Sequence, residues 1–398
     1  MSAQYPGTAS EVLKIFLKLG LTSFGGPIAH LGYFRAEFVE RRQWLSDRRY
    51  SDLVALCQFL PGPASSQVGM ALGLWRAGWL GALAAWMGFT LPSAIALVLF
   101  AMGAVNGQGW AQSGIVHGLK VMAVAVVAQA VWGMSRSLCP DRHRQCLAIG
   151  AAAILLALPT ASSQILVIVL GGLIGRWLLP TPDRPATEHD APGVGRQTGS
   201  ALLALFGLLL LTLPILATVA DSPMLSRLAV FYQAGSLVFG GGHVVLPLLQ
   251  TNIVPPGWLG NDLFLAGYAA AQAVPGPLFS FAAYLGAAMP APLGGWSGGM
   301  LALASIFLPS FLLLAGALPY WEALRQLSNV QRAMSGINAA VVGILAAALY
   351  NPVWTSAIHR WPDLAMALAA FALLISGRVS PVLVVALTAA TGTLLASG

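Results

Sequence analysis

Long apolar runs separated by short polar connections make up most of the chain, and several runs are interrupted near the middle by glycine and proline. Uninterrupted runs lie at about 78–104, 112–135, 146–160, 163–179, 200–220, 293–319, 335–351, 361–376 and 380–397. Stretches such as Ala201–Leu211 and Leu364–Ile375 carry no charge at all. An apolar helix of about 20 residues matches the hydrocarbon thickness of a bilayer, so each run predicts a crossing. Four further segments, roughly 10–40, 50–75, 226–251 and 262–289, break at Gly25-Gly26-Pro27, Pro61-Gly62-Pro63, Gly240-Gly241-Gly242 and Pro275-Gly276-Pro277. Proline removes a backbone donor and glycine weakens a helix, so such clusters end helices. Each broken segment is either a kinked crossing or a re-entrant hairpin that enters and leaves on one side.

The breaks belong to a duplication. Phe24-Gly25-Gly26-Pro27, Trp44-Leu45, Gln58 and Pro61-Gly62-Pro63 recur in order as Phe239-Gly240-Gly241-Gly242, Trp258-Leu259, Gln272 and Pro275-Gly276-Pro277. The offset is 215 residues for the first block (24 to 239) and 214 for the others (44 to 258, 58 to 272, 61 to 275). Leu91-Pro92-Ser93 likewise answers to Leu308-Pro309-Ser310. These matches define repeats over 1–180 and 222–398, a polar cytoplasmic linker over 181–198, and an unmatched connecting helix over 199–221. One extra crossing between two related units inverts the second, a recurring plan in transporters whose substrate site lies at the repeat interface.

Charge selects between the two readings of the breaks. If all four broken segments are hairpins, seventeen Lys and Arg fall on one side and two on the other; if all four cross, the division is at best twelve to seven. Cytoplasmic loops hold the basic excess, which favours nine crossings and four hairpins. The expected fold is an all-α polytopic membrane protein. It has two inverted repeats, each with two broken hairpins and about four transmembrane helices, and one extra helix between them. Composition agrees: 57% of residues are hydrophobic, mean hydropathy is +0.77, and 8% are charged against roughly 25% in soluble domains. The net charge of +7 follows from basic cytoplasmic loops and calls for no nucleic-acid partner. Met1–Glu11 lacks the pattern of a cleavable leader, so insertion falls to the chain's own apolar segments. Cys57, Cys139 and Cys146 form neither a metal spacing nor a disulfide framework.

A helix that restarts inside a membrane presents unpaired N–H groups and a positive dipole end, which together suit an anion. After Pro63 come Ser65 and Ser66, after Pro277 comes Ser280, and His30 and His243 follow the other two breaks. Four helix starts converging near mid-membrane would surround a tetrahedral dianion; the competing reading is that Gly25, Gly26, Pro27, Gly241, Gly242 and the two Pro-Gly-Pro turns only permit kinks and tight packing. His30 binds anion or relays protons, or satisfies a carbonyl. Lys120 lies inside an apolar run and either faces the pathway or snorkels to the interface. Arg35 reaches the site and Arg76 holds the cytoplasmic mouth, or both anchor helix ends. Gln58 and Gln272, three residues before each Pro-Gly-Pro, suit a shared structural hydrogen bond as well as substrate. Arg41, Arg42, Arg48 and Arg49 fit retention in the cytoplasm better than anion gathering. No paired carboxylates lie in a membrane segment, which weakens cation or proton pumping. No phosphate-cradling loop, zinc spacing or nucleophile elbow is present, which argues against ATP-driven transport by this chain alone and predicts no catalytic residues, metal or cofactor. A membrane-embedded enzyme or scaffold would need catalytic side chains facing one pocket, and none is found.

At these residues the chain resembles the chromate ion transporter family in its long, two-domain form. The features are Phe24–Pro27 with His30, the Gln58–Pro63 block, and their partners Phe239–Gly242 and Gln272–Pro277. The resemblance covers roughly 10–180 and 225–397. Gly242 stands where the first copy has Pro27, which suggests unequal roles for the halves. The resemblance implies a multi-pass protein of the bacterial inner membrane that is not an enzyme. It would export chromate on the membrane potential or a proton gradient and confer chromate resistance, with sulfate or another oxyanion as the alternative cargo. Its partners would be the oxyanion and the lipid bilayer, and the chain is compatible with a homodimer.

Overall fold

A computed structural model describes residues 6–106, 114–181, 194–290 and 293–397; most of the expected linker lies outside them. Among the described residues all regular structure is helical. The first unit contains α1 (Ala9–Thr22), α2 (Gly26–Arg35), α3 (Asp47–Phe59), α4 (Ala64–Asn106), α5 (Gly114–Leu138), α6 (Arg142–Ala157) and α7 (Ala161–Leu178). After α8 (Arg196–Val219), the second unit contains α9 (Pro223–Leu237), α10 (Val245–Ile253), α11 (Asn261–Ala273), α12 (Phe281–Ala288) and α13 (Gly295–Ala317). It continues with the short α14 (Trp321–Gln326), α15 (Ser328–Ala348), the single turn α16 (Thr355–Ala357), α17 (Trp361–Ser376) and α18 (Pro381–Ser397). Non-helical backbone at Ala77 and Gly78 divides α4 into two arms.

Among the described residues, six helical stretches are long and apolar enough to cross a membrane: Ala64–Val105, Gly114–Leu138, Ala161–Leu178, Arg196–Val219, Gly295–Leu324 and Ser328–Ala357. The chain is therefore a polytopic membrane protein. The three other expected crossings are helical but shorter, with 16 residues in α6, 16 in α17 and 17 in α18. At 1.5 Å per residue they span about 24–26 Å, less than the roughly 30 Å hydrocarbon core. Caps fix the ends of some of these helices. Asp141 caps α6, Thr160 and Ser163 form a capping box ahead of α7, and Asp363 accepts from the His359 and Arg360 amides ahead of α17.

Three of the four broken segments, 10–40, 50–75 and 262–289, fold back on themselves. Phe16 of α1 meets Phe34 of α2 at 5.5 Å and Phe38 just beyond it at 5.1 Å between ring centres. Arg49 at the start of α3 lies over Trp75, and Arg76 lies 4.7 Å over Trp44, so the chain enters by α3 and returns along the first arm of α4 to the same end. In the second unit the Tyr284 hydroxyl of α12 donates to the Leu263 carbonyl near the start of α11 at 2.9 Å.

The two units are interleaved. The second arm of α4 and its counterpart α13 run antiparallel: Trp86 packs on Phe307 and Phe311, while Val98 reaches Gly299. α5 leaves its own unit to pack on α11, α17 and α18, and its counterpart α15 packs on α6 and α7. These exchanged contacts depend on glycine. Gly118 and Gly392 bring the α5 and α18 backbones together, and Gly171, Gly175 and Gly336 do the same for α7 and α15. In lipid, where apolar side chains gain nothing by leaving their surroundings, such close backbone approach is a main source of helix association. α8 differs in having a wide exposed apolar face, including Leu208, Leu211, Ile215 and Val219, as suits a helix facing lipid.

Candidate functional site

The four breaks meet at the junction between the units through an exchange of backbone hydrogen bonds. The Gly62 amide donates to the Val238 carbonyl at 2.7 Å, and the Gly276 amide donates to the Ser23 carbonyl at 3.0 Å. Each Pro-Gly-Pro turn is thereby tied to the residue just before the other unit's Phe-Gly-Gly break. Reciprocity of this kind marks a two-fold relation between two like surfaces.

Both glycines are required by conformation and by space. Gly62 has φ +121° and Gly276 φ +105°, a region that side-chain-bearing residues rarely adopt. A Cβ at Gly62 would lie 2.6 Å from the Ser310 hydroxyl, and one at Gly276 would lie 2.9 Å from the Ser93 hydroxyl. The Leu-Pro-Ser blocks, legible in the sequence only as repeat markers, thus place one serine behind each turn. Nearby, a Cβ at Gly242 would lie 3.8 Å from both Pro27 and Leu278, which brings three of the four helix starts together.

His30 is buried, with Nδ1 3.5 Å from the Ser65 hydroxyl and its ring edge-on to Phe89. Ser65 and Ser66 open α4 and are both buried. At this start Gln67 N–H is the first to find an α-helical carbonyl, that of Pro63 at 3.0 Å, so the amides just before it are the donors that a helix start leaves free. Several buried polar atoms around the breaks have no hydrogen-bond partner: Ser23 Oγ, His30 Nε2, Ser66 Oγ, Gln67 Oε1, Thr90 Oγ1 and Ser310 Oγ. Most buried polar groups in proteins are paired, so this concentration is unusual and belongs to one region of the fold. Ser23, Gln67 and Thr90 carry no motif that singles them out in the sequence, and their signal is position, near a break or just before a Leu-Pro-Ser block; Ser310 is the serine of such a block, legible only as a repeat marker.

The second unit offers fewer free groups. His243 Nδ1 lies 2.7 Å from the Tyr268 hydroxyl, and the Ser280 hydroxyl donates to the Pro277 carbonyl at 2.7 Å. Both are committed within their own unit. Gln272 is half-buried with Nε2 unpartnered, whereas Gln58 is exposed, so the matching amides occupy different surroundings.

The basic candidates sit apart from the breaks. Arg35 is half-exposed and pairs with Asp47 at 2.6 Å and with Glu40. Arg76 pairs with Glu11 at 3.1 Å. Lys120 pairs with Asp262, at the start of α11, at 2.9 Å. The site is therefore built from helix-start amides, hydroxyls and an imidazole. Donors of this kind suit an anion without supplying a fixed counter-charge.

A family model described as chromate transporter matches residues 10–176 and again 225–393, once in each unit. The chain is 28% identical to a chromate transport protein of Pseudomonas aeruginosa over 371 residues, covering 92% of this chain and 86% of that one. It is 28% identical to a probable chromate transport protein of Synechococcus elongatus over 346 residues, covering 85% and 83%. It is 27% identical to a chromate transport protein of Cupriavidus metallidurans over 350 residues, covering 86% and 82%. No solved structure matches it.

Proposed function

Because the chain belongs to the chromate transporter family, we propose that it exports chromate from the bacterial cytoplasm across the inner membrane, through a site formed where its four helix breaks meet. The observation that carries this reading is the reciprocal pair Gly62–Val238 and Gly276–Ser23, set among buried polar atoms that lack partners. An oxyanion seated there would take hydrogen bonds from the free amides at the start of α4 and from Ser66, with His30 beside it.

The units act as inverted repeats with re-entrant hairpins, a reading supported by the antiparallel course of α4 and α13 and by the folded-back arms. In such a pair, one unit opens its hairpins to the cytoplasm and the other to the outside. Rocking of one unit against the other about the breaks then exposes the site alternately to each side. The first unit's Ser65, Ser66 and His30 make the stronger contacts, because the second unit's His243 and Ser280 are already engaged.

The driving force follows from charge. Moving one charge across 100 mV is worth about 2.3 kcal/mol, so a dianion leaving a negative interior gains about 4.6 kcal/mol. At roughly 1.4 kcal/mol per tenfold, that sustains an outward gradient of a few thousandfold without ATP. Chromate accumulation in cells with and without the protein tests the direction. Lower accumulation on expression is expected; higher accumulation would reverse the direction, and competition by equimolar sulfate would reassign the cargo.

A further inference from the structure

Arg227, at the start of α9, is 9% exposed, yet its Nη1 has no hydrogen-bond partner, and among the described residues no carboxylate pairs with it. The paired cations of the first unit behave differently. There Glu11 and Arg76 neutralise one another at 3.1 Å, and by the repeat offsets their counterparts are Ser226 and Pro290. The second unit has lost that internal pair and carries a lone guanidinium at the matching end. A buried charge without a partner is costly, and the start of α9 adds further positive potential. An anion supplied from outside the chain would offset both.

Beside Arg227 lies a cavity of about 10 Å³, bounded by Gly286 and Met289 of the returning arm and by Gly298 and Ser305 of α13. That volume admits about one water-sized group. It excludes a whole tetrahedral ion but accepts one of its oxygens. We propose that Arg227 anchors an anion site that takes one oxygen of a phosphate-like group, supplied by a phospholipid headgroup or by a free inorganic ion. The neighbouring end of α8 is exposed at Val219, so a lipid can approach. Placing this site at the outer leaflet rests on the inverted arrangement proposed above; the binding itself does not.

The test uses full-length protein, stripped of lipid in a neutral detergent and titrated in two arms, with short-chain phosphatidylglycerol in one and inorganic phosphate in the other. Binding is read by thermal unfolding, so it is independent of chromate transport. Wild type is expected to be stabilised saturably in at least one arm, with apparent affinity at least tenfold weaker in Arg227→Gln. Arg227→Met, which fills the same space without charge, is the second variant should the first fail to fold. Saturation in the lipid arm alone assigns a headgroup, and saturation in the phosphate arm alone assigns a free ion. No binding to wild type, or equal affinity in wild type and variant, overturns the proposal.

Discussion

The Gly276 amide donates to the Ser23 carbonyl across the junction of the two units at 3.0 Å. Gly276 has φ +105°, and the Ser93 hydroxyl lies 2.9 Å from where a Cβ would sit. Gly276→Ala therefore meets both left-handed strain, about 1–2 kcal/mol, and a clash. The expected outcome is protein that still inserts into the membrane but transports chromate at least tenfold more slowly in inverted vesicles. Wild-type rates in correctly inserted Gly276→Ala would show that the exchanged hydrogen bonds are dispensable.

Lys120 and Asp262 form an ion pair between the units, with side-chain exposures of 11% and 49%. Half-exposed Asp262 limits the coupling to about 1 kcal/mol or less. A thermal-stability cycle of Lys120→Met, Asp262→Asn and the double variant should show non-additive losses, with transport retained in all three. Loss of transport in Lys120→Met with unchanged stability would place that amine on the pathway instead.

Asp363 is fully buried and accepts from the His117 ring at 2.8 Å and from the His359 and Arg360 amides. Asp363→Ala leaves these donors unpaired where α17 begins and should cost about 2 kcal/mol or more. A clear drop in the melting temperature of purified protein is the expected result. Asp363→Asn, which keeps the acceptor oxygen, should lie between the variant and wild type.

Arg35 carries its partners at the protein surface, with Asp47 and Glu40 both more than half-exposed. Arg35→Ala should leave chromate flux within a factor of two of wild type. A larger loss would show that its guanidinium leaves these carboxylates during transport.

The sequence revealed the duplication, the four breaks and the positions of the helices, because proline, glycine and hydrophobic runs act locally. Even the bend between the arms of α4 was visible as the gap between the 50–75 segment and the 78–104 run, where Gly78 has φ +66°. The exchange of α5 and α15 between units was not legible, since it depends on glycine-to-glycine approaches over long separations, such as Gly118 to Gly392. Lys120 stood out as a charge in an apolar run, but its partner Asp262 lies 142 residues away on a helix start that looked ordinary. The candidate site was half legible. Ser65, Ser66 and His30 were marked by the break before them, whereas Thr90 and Ser310 join them only through the packing of α4 and α13. The runs at 361–376 and 380–397 matched α17 and α18 to within a residue, whereas α6 starts four residues before its run because Asp141 caps it there.

Equilibrium binding of chromate to purified protein, comparing wild type with Ser66→Val and Arg41→Ala, probes the helix-break site most directly. Ser66 is buried at the start of α4 with its hydroxyl unpartnered, and Arg41 is an exposed residue paired with Glu37. If the breaks hold the oxyanion, Ser66→Val should raise the dissociation constant at least tenfold, about 1.4 kcal/mol, while Arg41→Ala leaves it unchanged. Unaltered binding in Ser66→Val, in protein that folds as wild type does, would contradict the site.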